Sequence, residues 1–432
     1  MMRKLCLFAI WFVTPIIYAQ SPDETIKILF EQNNYFELAR QYAVMKDNVS
    51  PLLQGFSESM LHIAFNKPEK ASKSITKLIN SYQSEFQNSE LILLVQLLAS
   101  SNEAQHKYRE AADIMNSLVA QASQQMDETT LNVCQSLSRI YTAMDKEPSI
   151  KIVKREKETM VDVIFKEVGF SNQKKSSEQT LMYLPASIGE EIEDFLFDTS
   201  SSTNIISHSM AMKHDLRIIA DSVFLIGSLG TEWGQIAMVD RLAIGNMILE
   251  HVPFYVVKDQ SMQSYAQAVI GMSLLKTLGE VQILPEQKKI IFPEKFTSSP
   301  KVYSNIMFNN EIPVIEIKSR QENIRLVLET SKPTSFMSYT YYQKHLKDYE
   351  NLEEERELIL EEVGGKTILP TKLIPQYPIE INEKAIDIPQ LPLIYKPFNT
   401  LLYSFDGTMG MDILRKFKKV TINTKEMFIT VE

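Results

Sequence analysis

Residues 22–148 carry apolar side chains at helical spacing. Leu29, Phe36, Leu38, Ala39 and Tyr42 recur on one face, as do Ile75, Leu78 and Ile79. Gly55 is the single glycine of this region, so little interrupts a helical reading. A charged stretch, 144-MDKEPSIKIVKREKE-158, then changes the period. Beyond it, short β-branched and apolar runs alternate with turns: 161-VDVIF-165, 223-VFLIG-227, 252-VPFYVV-257, 290-IIF-292 and 427-MFITV-431. The pattern predicts an α+β multidomain chain, all-α at the N-terminus and mainly β, with a few short helices, from residue 150 onward.

Both halves contain repeats. In the helical part, 35-YFELARQY-42, 68-PEKASKSI-75 and 108-YREAADIM-115 share a polar start, a small or apolar residue three along and an apolar face. Leu38, Ala71 and Ala111 are equivalent in this alignment, at intervals of 33 and 40 residues. The segments resemble tetratricopeptide repeats with uneven spacing; a plain helical bundle is the alternative.

In the β part, 195-FLFDTSSSTNIIS-207 and 326-LVLETSKPTSFMS-338 align. In each, an apolar run ends in a carboxylate, Asp198 or Glu329. Thr199 and Ser200 follow the first, Thr330 and Ser331 the second, and a further serine, Ser207 or Ser338, lies nine residues after the acid. Helix-like segments come next, 208-HSMAMKHDL-216 and 339-YTYYQKHLK-347. Glycine-containing hairpins follow, 226-IGSLGTEWGQI-236 and 363-VGGKTIL-369. Each copy then has a glycine ahead of a helix, Gly271 or Gly410, and closes on a strand pair. The chain thus carries a tandem β duplication of about 135–145 residues per copy.

This order of elements resembles the retropepsin-like and pepsin-like aspartic protease family across both copies. The resemblance implies two acid-protease-like lobes, at 149–297 and 298–432, after a helical domain at 20–148. It implies a water-activating pair, Asp198 and Glu329, supported by Thr199, Ser200, Thr330 and Ser331. It further implies flap hairpins over an extended peptide, carrying Gly230 and Trp233 in lobe one and Gly364 and Gly365 in lobe two. Two carboxylates in contact share a proton, so one serves as base and the other as acid. The sequence departs from the family twice. Serine stands at 200 and 331 where the family has glycine, a cost of about 1 kcal/mol if a left-handed backbone is kept. Glutamate stands at 329, and its extra methylene moves the carboxylate by roughly 1 Å on a fixed backbone. Two functions follow: an aspartic-type endopeptidase, or a non-catalytic pseudoprotease that binds peptides or proteins. One chain supplying both lobes is the expected arrangement, and a homodimer using Asp198 twice is the alternative. The helical domain is the candidate docking module for a protein partner.

Charge and composition narrow the setting. Arg3 and Lys4, the apolar run Leu5–Ile17 and small Ala19 have the layout of a cleaved signal peptide over residues 1–19. A retained anchor is the alternative for so short a run. Export to a bacterial periplasm or cell surface is expected. Loss of Arg3 and Lys4 takes the net charge from −9 to −11, which argues against a nucleic-acid partner. Cys134 alone remains, so no internal disulfide is expected. The six histidines form no metal-binding spacing, and no nucleophile elbow or phosphate loop is present; neither metal nor cofactor is expected.

Overall fold

The computed structural model describes residues 21–154, 157–168, 179–227, 229–298, 304–352, 355–362, 365–398 and 405–432. The expected signal peptide and Gly364 lie outside them.

Seven helices open the described chain: α1 (Pro22–Glu31), α2 (Tyr35–Met45), α3 (Pro51–Ala64), α4 (Pro68–Tyr82), α5 (Asn88–Glu103), α6 (Tyr108–Ala122) and α7 (Glu128–Met144). Local signals set their starts. Proline occupies the first turn of α1, α3 and α4, where its missing N–H costs nothing. The side chains of Ser21, Asn34 and Asp127 cap α1, α2 and α7 by accepting backbone N–H groups. The repeated segments begin α2, α4 and α6, and Leu38, Ala71 and Ala111 are each fully buried. Two residues before each of these helices, Asn33, Asn66 and His106 take left-handed φ of 49°, 50° and 58°. The three tight turns are therefore built alike.

The β part has two lobes of matching topology. In lobe one, strand Glu191–Phe197 runs into Asp198. Ala268–Ile270 lies parallel to it, with Val269 opposite Leu196 and Ile270 opposite Phe197. Ile205–Ser207 pairs antiparallel with Ala268–Ile270 and parallel with Met247–Val257. In lobe two, Glu322–Leu328 runs into Glu329 and pairs parallel with Gly407–Met409. Phe336–Met337 pairs antiparallel with Gly407–Met409 and parallel with Lys384–Ile394. Each lobe also raises a long hairpin, Arg217–Ile226 with Thr231–Ile244 and Glu355–Glu362 with Gly365–Ile381.

A separate sheet joins the lobes. Glu280–Leu284 pairs antiparallel with Val420–Asn423, from Glu280 opposite Asn423 to Ile283 opposite Val420. The buried Glu280 carboxylate is satisfied there by the amide and hydroxyl of Thr297 and the side-chain amides of Gln282 and Asn423. One apolar core runs through both lobes, from Phe195 and Phe254 to Leu328 and Met409.

The helical domain docks on both lobes. Ile26, Phe36 and Leu38 of α1 and α2 share a core with Met307, Val314, Val327 and Phe405 of lobe two. Arg325 donates to the carbonyls of Gln32 and Asn33 where α1 ends, at 2.9 Å each, and Arg40 grips Glu316 with two nitrogens at 2.7 and 3.0 Å. At the far end, α7 covers the outer strand of the lobe-one hairpin. Ile140 and Ala143 pack on Val223 and Ile236, Arg139 donates to the Ser222 carbonyl, and the Phe224 amide donates to Ser136 Oγ at 2.8 Å. Among the described residues, no helix is long and apolar enough to cross a membrane.

Candidate active site

The two acids sit at matching ends of matching strands. The Asp198 amide donates to the Ile270 carbonyl and the Glu329 amide to the Met409 carbonyl, each at 3.0 Å. Gly271 and Gly410 then let the following loops pass closely. A Cβ on Gly271 would stand 2.1 Å from the Thr203 carbonyl oxygen, and one on Gly410 would stand 2.6 Å from that of Lys332. Their amides are held by equivalent side chains six residues after each acid, Asn204 Oδ1 at 3.0 Å and Ser335 Oγ at 2.8 Å.

Thr199 and Thr330 lock the loops together across the lobe boundary. Thr199 Oγ1 donates to the Leu328 carbonyl at 2.6 Å and accepts from the Thr330 amide at 3.1 Å. Thr330 Oγ1 donates to the Phe197 carbonyl at 2.6 Å and accepts from the Thr199 amide at 3.0 Å. Neither Ser200 nor Ser331 takes a positive φ, so the strain expected of serine at a left-handed position does not arise.

The carboxylates meet at Ser200. Its hydroxyl lies 2.7 Å from Asp198 Oδ1 and 3.3 Å from Glu329 Oε1. Asp198 Oδ1 also accepts the amides of Ser200 at 2.8 Å and Ser201 at 3.3 Å. That oxygen thus gathers three donors. Glu329 has the opposite setting. It is fully buried, and its Oε2 has no hydrogen-bond partner among the described residues. Burial pushes its pKa up to about 8; the nearby Lys332 works against this, and the charges of Glu362 and Asp198 reinforce it. The Ser200 hydroxyl has one proton. Donating it to Asp198 leaves a lone pair to accept from a protonated Glu329.

Lys332 is three residues after Glu329, at the position equivalent to Ser201 three after Asp198. The backbone roles match: Met272 donates to the Ser201 carbonyl and Met411 to that of Lys332. The side chains differ. The buried Lys332 ammonium lies 3.5 Å from Glu329 Oε1, forms a closer ion pair with Glu362 Oε1, and donates to the Glu361 carbonyl at 3.2 Å. Sequence reasoning missed both Lys332 and Glu362. A charged residue inside an otherwise apolar and hydroxyl-rich loop was the available signal for Lys332.

A cavity of about 440 Å³ opens beside the acids. Asp198 and Ser200 line it, as do Leu225, Ile226 and Gly227 of the lobe-one hairpin, Val327 and Phe405 of lobe two, and Glu362 of the lobe-two hairpin. Glu329 is not among its lining residues. Gly230 closes the lobe-one hairpin turn, its carbonyl accepting from the Gly227 amide. Trp233 lies on the same hairpin, 43% exposed and packed at a tilt against Phe224 with ring centroids 4.9 Å apart, and does not line the cavity. Gly365 begins the return strand of the lobe-two hairpin, and a Cβ there would stand 3.3 Å from Leu229 Cβ, so this strand start approaches the lobe-one hairpin turn. Ser331 Oγ is buried without a hydrogen-bond partner among the described residues, unlike Ser200. Glu191, Glu193 and His214 lie close enough together to hold a metal ion, but the Lys213 ammonium already bridges both carboxylates there.

A family model described as "gag-polyprotein putative aspartyl protease" matches residues 184–277, from the strand before Asp198 through Gly271 and the helix after it. The chain therefore contains an aspartic-protease-like lobe, and its second lobe repeats that topology. Similar solved structures include basic 7S globulin from soybean, at 11% identity over 64% of this chain and 94% of that one, with a TM-score of 0.39. Conglutin gamma, a basic 7S globulin from lupine seeds, is 11% identical over 64% of this chain and 95% of that one, TM-score 0.40. A retropepsin-like aspartic protease from Rickettsia conorii is 15% identical over 33% of this chain and 92% of that one, TM-score 0.22. No curated protein matches the chain.

Proposed function

We propose that this chain is an exported aspartic-type endopeptidase, with Asp198 as base and Glu329 as acid. The observation that carries the proposal is the Ser200 hydroxyl within reach of both carboxylates, Asp198 with three donors on one oxygen and Glu329 buried with its pKa raised. Asp198 takes a proton from water, whose oxygen attacks the peptide carbonyl carbon. Glu329 gives its proton to the carbonyl oxygen. The tetrahedral species then collapses as Asp198 returns its proton to the departing nitrogen, and Glu329 recovers its own. The Lys332–Glu362 ion pair is neutral as a unit and so adds no net charge beside the acid pair, which works with one shared proton. The peptide lies in the cavity between the hairpins. Export rests on the leader-like residues 1–19.

One observation favours a second reading, a non-catalytic peptide-binding module: Glu329 is fully buried and does not face the cavity that Asp198 faces. The helical domain then serves as a docking module for a protein partner.

The test is proteolysis of a peptide library by the wild type, Asp198→Asn and Glu329→Gln. The peptidase reading expects cleavage that falls by at least about a hundredfold in Asp198→Asn, in line with loss of a positioned general base. Identical products from wild type and Asp198→Asn would overturn it. Peptide binding without cleavage by the wild type would establish the second reading.

A further inference from the structure

Lys332 poses a problem that the acid pair must solve. An ammonium beside a carboxylate favours ionisation, and an acid pair with both members ionised has no proton to give. Lys332 is 5% exposed at its side chain and cannot escape to water. Its nearest carboxylate is nevertheless not Glu329. Glu362, the last residue of the rising strand of the lobe-two hairpin, makes the closer contact, and the neighbouring Glu361 carbonyl takes a further ammonium proton. That part of the hairpin is anchored to lobe one as well: the Glu361 carboxylate accepts the Ser264 amide, and its carbonyl accepts from Tyr265 at 3.4 Å.

We propose that Glu362 is a positioning residue for the acid pair: its ion pair draws the Lys332 ammonium off Glu329 and leaves Glu329 as the neutral partner of Asp198 while the lobe-two hairpin lies over the cleft. The inference rests on the aspartic-peptidase reading. Lobe one needs no such device, because the residue equivalent to Lys332 is Ser201, which offers its amide to Asp198 and turns its hydroxyl to the Thr203 carbonyl. The lobe-two hairpin therefore does more than cover the cleft. When it lifts, Glu362 leaves Lys332, the ammonium turns to Glu329, and the acid ionises. A competent acid pair thus forms only under a closed hairpin. Among the described residues, charged and titratable groups that act on Glu329 and Lys332 include Asp198, Glu361, Glu362 and Tyr265.

The experiment compares the full-length wild type, Glu362→Gln, Lys332→Met and the double variant, each by its pH–rate profile on one cleaved peptide. In Glu362→Gln the alkaline limb is expected to move down by about one pH unit, a tenfold change in the proton affinity of Glu329. The double variant is expected to restore the limb, since a buried ion pair can be replaced whole with little penalty. A uniform loss at every pH in Glu362→Gln, or no restoration in the double variant, would overturn the proposal. A second readout separates it from the peptidase reading itself. The infrared band of the protonated Glu329 carboxyl, assigned by its disappearance in Glu329→Gln, is titrated in wild type and Glu362→Gln. A lower midpoint in Glu362→Gln supports the positioning role even if no peptide is cleaved; an unmoved midpoint sinks it even if the enzyme is active.

Discussion

Thr199 and Thr330 exchange hydrogen bonds across the lobe boundary: each hydroxyl donates to the carbonyl that precedes the other lobe's acid, and each accepts the other's amide. All four hydrogen bonds are buried, so water does not readily replace a lost hydroxyl. Thr199→Ala or Thr330→Ala should each destabilise the chain by about 2–4 kcal/mol, combining a lost hydrogen bond with an amide and a carbonyl left unsatisfied. Urea unfolding measures this. A loss no larger than that of an exposed Thr→Ala change would contradict the cross-lobe lock.

Glu329 makes stability depend on pH with a definite sign. Burial raises its pKa from 4.5 to about 8. The folded chain thus holds this proton more tightly than the unfolded chain. The contribution is complete below about pH 4.5 and is lost progressively as the pH rises through about 8. Glu329→Gln cannot titrate. Its unfolding midpoint in urea should therefore gain on that of the wild type between about pH 5 and pH 8. A constant difference between the two proteins across that range would refute a raised Glu329 pKa.

The two loop glycines differ from an ordinary turn glycine. Gly271→Ala and Gly410→Ala force a Cβ to within 2.1 and 2.6 Å of backbone oxygens that cannot rotate away. Each should cost about 3 kcal/mol or more, at the upper end of overpacking penalties. Gly189 has open space around it and a φ of 64°, so Gly189→Ala should cost only about 1 kcal/mol of backbone strain. Thermal unfolding of the three variants orders them. Gly189→Ala as the most damaging would count against the close loop approach.

Ser136 covers an otherwise exposed backbone donor on the outer strand of the lobe-one hairpin. Ser136→Ala should speed hydrogen exchange at the Phe224 amide about fivefold, the equivalent of one lost hydrogen bond, and leave the amide of Val256, deep in the sheet, unchanged. Equal rates at Phe224 in both proteins would mean that α7 does not hold the hairpin.

Much of this architecture could be read in advance, for particular reasons. The helical half announces itself through its apolar period, and Leu38, Ala71 and Ala111 do occupy equivalent buried places. Asp198 and Glu329 could be paired because their loops carry matching residues one, two and nine positions on, and the first and last of these have backbone or capping tasks in both lobes. Ser207 and Ser338, for example, each cap the helix that follows. What stayed hidden depends on distance along the chain. Thirty residues separate Lys332 from Glu362, and no local pattern says that the hairpin folds back onto the loop. The hairpin face was equally hidden. Alternation tells which residues share a side, but not which side meets the cleft, so Trp233 was expected over the cavity that Leu225 and Ile226 line instead. The contacts of α1 and α7 with opposite lobes leave no periodic trace at all.

The two halves of the cleft lie on one polypeptide, and the strand pairing of Glu280–Leu284 with Val420–Asn423 ties them together. Dilution cannot separate them, so completing the site is a first-order event within a single chain. The same tether frees the halves from sameness. A site made from two identical subunits must carry every residue twice, and a lysine beside one acid would stand beside the other as well. Here each lobe can specialise alone, with serine at 201 and lysine at 332, and one cleft can set Asp198, with three donors on one oxygen, against a Glu329 whose Oε2 is buried without a partner among the described residues.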